Sequence, residues 1–124
     1  MRMWLVDTQR MCRQHLLGEH VEMHMFAGSI RAGISLRGYI ERGLVIVHRL
    51  RERHDALAKE IRRRGWNHKS PLLSPGETQR DLFQFYSGRE GSGALEFDVK
   101  KSRQDLLRRC PACRSNFKRQ GEPK

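Results

Sequence analysis

The feature that most constrains this chain is a run of apolar side chains between residues 44 and 64. Val47, Leu50, His54, Leu57 and Ile61 recur at steps of three and four, the period of an α-helix with one buried face. Gly65 stands at the C′ position where such a helix ends, and Arg62, Arg63 and Arg64 complement the negative end of its dipole. A helix from about Leu44 to Arg64 is predicted. No convincing pair of strands and no internal repeat can be read elsewhere, so the fold class is all-α.

Two further helices are expected. Thr8 is a capping residue for one running to about Phe26. On it Met11, His15, Gly18 and Glu22 share one face, beside an apolar stripe of Cys12, Leu16 and Met23. Gly28, Gly33, Gly38 and Gly43 then mark a loop with at most short helical turns. Residues 66–96, with Pro71, Pro75 and several glycines, read as a long functional loop. Asp98 caps a third helix over Val99–Arg109, stopped by Pro111. The expected architecture is a compact single domain of three main helices with long loops over 1–113. A basic, frayed tail over 114–124 completes it.

With 124 residues the chain suits one domain, and a formal net charge of +11 calls for a polyanionic partner. Nucleic acid is the first choice; an anionic membrane or ribosomal RNA would satisfy the charge as well. No apolar run reaches the roughly 18 residues that span a bilayer. The N-terminus lacks the apolar core of a secretory signal. Three cysteines, Cys12, Cys110 and Cys113, make a poor disulfide framework and suit a reducing compartment. The expected setting is the cytoplasm, in association with the nucleoid.

Three blocks carry a resemblance to a known family. The first is Met1–Met23, with its run Gln14-His15-Leu16-Leu17-Gly18-Glu19-His20-Val21-Glu22. The second is Gly33-Ile34-Ser35-Leu36-Arg37-Gly38-Tyr39 with Gly43-Leu44-Val45 and the helix ending Arg62-Arg63-Arg64-Gly65-Trp66. The third is Ser102–Pro111. Together they resemble the pyrimidine-dimer DNA glycosylase/AP-lyase family, the small phage-type endonuclease V. The resemblance implies an endonuclease V-like all-α fold in which the chain's own α-amino group is the nucleophile. It places Glu22 on the family's catalytic Glu and Arg2 on an active-site Arg beside the nucleophile. Gln14 and His15 fall on the supporting pair that precedes the Glu. Val21 and Met25 stand where the best-known pattern has arginines that hold DNA. Arg2 is too large to allow removal of the initiator, so Met1 is expected to remain and to supply the amine.

The chemistry then expected is Schiff-base catalysis. An α-amine has an ordinary pKa near ~8, so part of it is neutral at neutral pH and nucleophilic. The Met1 amine would attack C1′ of the damaged nucleotide, displacing the base. Glu22 would stabilise the positive sugar and assist loss of the 2′ proton, leading to β-elimination and strand cleavage. Arg2 would hold a phosphate. The substrate is double-stranded DNA with a UV-type pyrimidine dimer or an abasic site, bound by a monomer, with the target nucleotide unstacked. No cofactor or metal is called for. Expected DNA contacts are Arg37, Tyr39, Arg64, Lys69, Lys100, Lys101, Arg103, Arg114 and Lys118, with His68, Arg108, Arg109 and Arg119 as further phosphate partners. Trp66 reads as a core anchor, and Glu19 either tunes Glu22 or is a surface charge.

Cys110-Pro-Ala-Cys113 has the spacing of a zinc half-site. A structural zinc takes four ligands, so the plain expectation is two reduced thiols at a helix end. Cys12 with a histidine completes a site only if the fold brings them together. Two alternatives stand beside the enzyme: a non-catalytic basic helical module that binds nucleic acid, and a small zinc-stabilised adaptor. The first predicts indifference to a blocked amine, the second stoichiometric zinc.

Overall fold

The computed structural model describes residues 1–68, 70–86 and 88–119. Within them lie six α-helices: α1 Arg13–Arg31, α2 Arg37–Glu41, α3 Leu50–Arg63, α4 Gln79–Phe83, α5 Val99–Arg109 and α6 Pro111–Arg119. No strand occurs among the described residues, and no helix is long and apolar enough to cross a membrane. The all-α class stands, with three long helices and three shorter ones.

The long helices differ from expectation mainly at their starts. Thr8 opens only a 3-10 turn, Thr8–Arg10, capped by Asp7, and the backbone at Met11 is extended. Met11 is fully buried, and turning it inward breaks the helix there. Cys12 restarts it as the N-cap of α1, its sulfur accepting the His15 backbone N–H. At the far end α1 passes Phe26, because Phe26, Ala27 and Ile30 continue the buried face; Gly33, at φ 71°, follows the C-cap.

Helix α3 begins at Leu50, six residues later than the apolar pattern suggests, because the backbone before it is held from both sides. Met3 N–H donates to Leu44 O at 2.7 Å and Val47 N–H to Ser92 O at 2.7 Å. Gly43 and Gly93 permit this contact. Both have positive φ, and a Cβ at either would collide with a carbonyl of the opposing segment. The predicted stripe is buried: Val47 in the 3-10 turn just before α3, then Leu50, His54, Leu57 and Ile61 on α3 itself, the apolar ones joining Leu16, Met23 and Phe26 of α1 in one continuous core.

The stretch expected to be a long loop contains α4, whose Thr78 and Asp81 form a complete capping box and whose Leu82 is buried. Helix α5 is capped by Asp98 as expected. Pro111 both ends α5 and starts α6, at the first helical position where its missing N–H costs nothing. The residues expected to fray from 114 are therefore helical as far as Arg119, and Cys113 and Phe117 anchor them in the core.

Candidate active site

The extended segment 1–7 is stitched to three helices. Trp4 N–H donates to Glu19 Oε2 of α1 at 3.1 Å, and Trp4 O accepts Ser102 Oγ–H of α5 at 2.6 Å. Arg53 of α3 donates to Val6 O at 2.8 Å. Glu19 is buried and holds Arg53 through two bonds, of 2.6 and 2.8 Å, so it is a structural anchor rather than a surface charge. These bonds satisfy backbone groups that an extended strand without neighbours would leave open.

They also deliver the chain terminus to α1. The Met1 amine lies 3.8 Å from Glu22 Oε1, with both groups half-buried. Burial raises the Glu22 carboxyl above the usual range, while the amine, the Arg2 backbone N–H and the Arg2 side chain pull it back down. Around the pair opens a cleft of about 760 Å³, lined by Met1, Arg2, Gln14, Glu22 and Arg109 among others. Gly18 also lines it, with only open space where a Cβ would stand.

Arg2 is clamped. Its guanidinium stacks 3.8 Å from the Trp4 ring centroid, donates to Ser102 Oγ at 3.0 Å and pairs with Asp105 at 3.8 Å. Its buried Nε has no partner among the described residues. Burial lowers its pKa, against the pull of Asp105. Gln14 is exposed at the cleft edge. His15 packs edge-on against Trp4 with ring centroids 5.9 Å apart, and burial lowers its pKa.

The family model for pyrimidine dimer DNA glycosylase matches residues 1–74. The chain belongs to the pyrimidine dimer DNA glycosylase family. No curated protein and no solved structure matches it. The matched region holds Met1, Arg2 and Glu22 and the helices α1 to α3; α5, which clamps Arg2, lies beyond it.

For this family member the expected DNA contacts fall into two groups. Arg37, Lys100, Lys101 and Lys118 are exposed, Tyr39 and Arg103 half-buried. Tyr39 packs edge-on against Phe26 at 5.2 Å. Val21 and Met25 are 54% and 50% exposed, which gives α1 an apolar outer edge beside the cleft. Three residues are engaged elsewhere. Arg64 donates to Glu60 and to the carbonyls of Thr8, Gln9 and Met11, so it serves the fold. Arg114 donates to Leu107 O and Arg108 O, closing the end of α5. His68 joins His20, His24 and His54, with His20 Nε2 and His68 Nε2 2.8 Å apart. Burial and these neighbours push His20 down to about 4. Lys69 lies outside the described residues. Trp66 is half-buried, packed against the edge of the core as expected, with Arg13 and Arg64 at 5.1 and 5.7 Å from its ring.

The cysteines depart most from expectation. Cys12, His15, Cys110 and Cys113 converge, with the four potential ligand atoms all within 4.8 Å of one another. The signal was present: Cys12 and His15 have the same three-residue spacing as Cys110 and Cys113. Trp4, Arg53 and Ser102 carried no comparable signal, since each acts through a partner distant in sequence.

Proposed function

We propose that the chain is a DNA repair enzyme that excises pyrimidine dimers and cleaves the resulting abasic site through a Schiff base on the Met1 amine. The observation that carries this reading is the Met1 amine 3.8 Å from Glu22 Oε1 inside a cationic cleft. The amine attacks C1′ and the base leaves with its bonding pair, taking the proton the amine sheds; the C1′–O4′ bond then breaks, O4′ taking a proton from solvent, and the iminium forms. Its positive charge is stabilised by the Glu22 carboxylate, which then takes the 2′ proton. Electrons of the C2′–H bond form the new double bond, and the 3′ phosphate departs. A half-buried carboxyl whose pKa is raised is better suited to exchange a proton than a fully solvated one.

Arg2 and Arg109 are the phosphate-holding residues of this reading. Arg2 is pre-positioned at the cleft wall by Trp4, Ser102 and Asp105. Gln14 and His15 support from the cleft wall. Arg37, Lys100, Lys101, Arg103 and Lys118 are proposed to follow the DNA backbone, making binding strongly salt-dependent. Attack on C1′ by an amine held inside the cleft calls for a nucleotide drawn out of the base stack, so the reading includes distortion of the duplex.

Borohydride trapping tests the mechanism. Untagged protein, with its N-terminal residue verified, is mixed with a duplex holding an abasic site and, separately, with a UV-irradiated duplex. A covalent adduct mapped to the Met1 amine with both is the expected result. An adduct with the abasic duplex alone would remove dimer excision from the proposal. Tight binding without any adduct would leave a non-catalytic nucleic-acid-binding module.

A further inference from the structure

We propose that Cys12, His15, Cys110 and Cys113 form a structural zinc site that fastens the start of α1 to the α5–α6 junction. This goes beyond the activity above and does not depend on it. Two of the four ligands lie outside the region matched by the family model.

The spacing of the ligand atoms suits the metal. Zinc–sulfur bonds of about 2.3 Å in a tetrahedron set sulfurs about 3.8 Å apart. Cys12 Sγ and Cys110 Sγ are 3.8 Å apart, Cys12 Sγ and His15 Nδ1 3.2 Å, and Cys113 Sγ and His15 Nδ1 3.9 Å. Three sulfurs and one imidazole make a complete structural set with no position left for substrate or water, so a metal here holds the fold and does no chemistry.

The local architecture is the same on both sides. Cys12 precedes α1 and accepts the His15 backbone N–H at 3.4 Å; Cys110 precedes α6 and accepts the Cys113 backbone N–H at 3.4 Å. In each pair the first ligand sits at the helix cap and the second three residues into the helix. Across the pairs, Cys12 N–H donates to Cys113 Sγ at 3.2 Å. Each of the three sulfurs thus accepts a backbone N–H, the arrangement that stabilises metal-bound thiolates. Two helix N-termini add partial positive charge, and the chain's net charge of +11 favours the net-negative cluster.

Burial excludes a casual surface site. Cys113 is fully buried, Cys110 9% exposed, and Cys12 and His15 half-buried. No disulfide joins the cysteines, which leaves all three sulfurs available as thiolates once their protons are released on binding.

The test is metal analysis of the full chain, expressed with zinc in the medium and purified without chelator. One zinc per chain is expected, released in step with modification of the thiols by a mercurial and captured by a metallochromic dye. Apoprotein reloaded with cobalt(II) should show the intense visible bands and thiolate charge-transfer absorption of a tetrahedral site. His15→Cys should keep the metal and shift those bands; Cys113→Ser should lose it. Should Cys113→Ser not fold, the wild-type stoichiometry and cobalt spectrum still decide. Folded wild-type protein that stays metal-free after reconstitution would overturn the site. So would thiols that all react freely in native protein without releasing metal, or a weak six-coordinate cobalt spectrum.

Discussion

Glu19 and Glu22 stand one turn apart on α1 and have opposite surroundings. Glu19 is sealed in, bound twice by Arg53 and once by Trp4 N–H. Glu22 faces a cleft across a looser 3.8 Å contact with the Met1 amine, and burial raises its pKa. The same side chain is an anchor in one place and the proposed reactive group in the other. What differs is how fully it is matched: a carboxylate that accepts three hydrogen bonds, two of them from one arginine, stabilises the fold, and one that faces a single looser partner keeps more proton affinity.

The comparison breaks most severely if Arg53 is removed. Arg53→Ala leaves the buried Glu19 without its cationic partner and should cost about 3–5 kcal/mol, measured by urea unfolding. A cost near zero would mean that Glu19 is not the anchor described. The counterpart is Glu22→Gln. Strand cleavage should fall by about 10²–10⁴-fold with DNA affinity retained. The melting temperature should stay level or rise. A carboxyl with a raised folded-state pKa loses its favourable contribution as pH climbs through that pKa, so its ionised form is a burden at neutral pH. Equal cleavage by the variant would end the Glu22 assignment.

The smallest effect sharpens the comparison through His20, beside Glu19 on the same helix. Its pKa falls to about 4 through burial and through His54, His24 and His68; His24 and His68 are lowered too, with Arg62 near His68 and Asp55 opposing it. The unfolded chain therefore takes up protons first. Stability present above the ordinary histidine value of about 6.5 should drain away as pH falls toward about 4. Unfolding curves across that window should show the decline, and His20→Gln should flatten it. A flat wild-type profile would contradict the cluster.

Much of the helical frame was legible in the sequence because its signals are local. The apolar stripe from Val47 to Ile61 and the Asp98 cap need only neighbours within a few residues. The start of α1 was not, because the burial of Met11 overrides the capping potential of Thr8. Helix α6 was hidden because proline ends one helix and begins another with equal ease. At the candidate site, Met1 and Glu22 were reached through family resemblance. The Glu19–Arg53 pair spans 34 residues and Arg2–Ser102 spans 100, distances at which no sequence period operates. Cys12 with a histidine was a conditional signal, made meaningful only when the fold sets Cys12 and His15 against Cys110 and Cys113.

The bond from Ser102 to Trp4 closes a chain separation of 98 residues. During synthesis Trp4 leaves the ribosome long before its partner exists, and contacts of such high order form late and slowly. The α1–α3 pair can collapse early around its own apolar stripes. The N-terminal segment can dock early on α1 and α3 through Glu19 and Arg53, but the Ser102 bond to Trp4 and the clamp on Arg2 form only when α5 arrives. The Arg2 wall of the cleft is therefore among the last parts of the molecule to take shape, and a nascent chain stalled before α5 would already be helical yet lack that clamp.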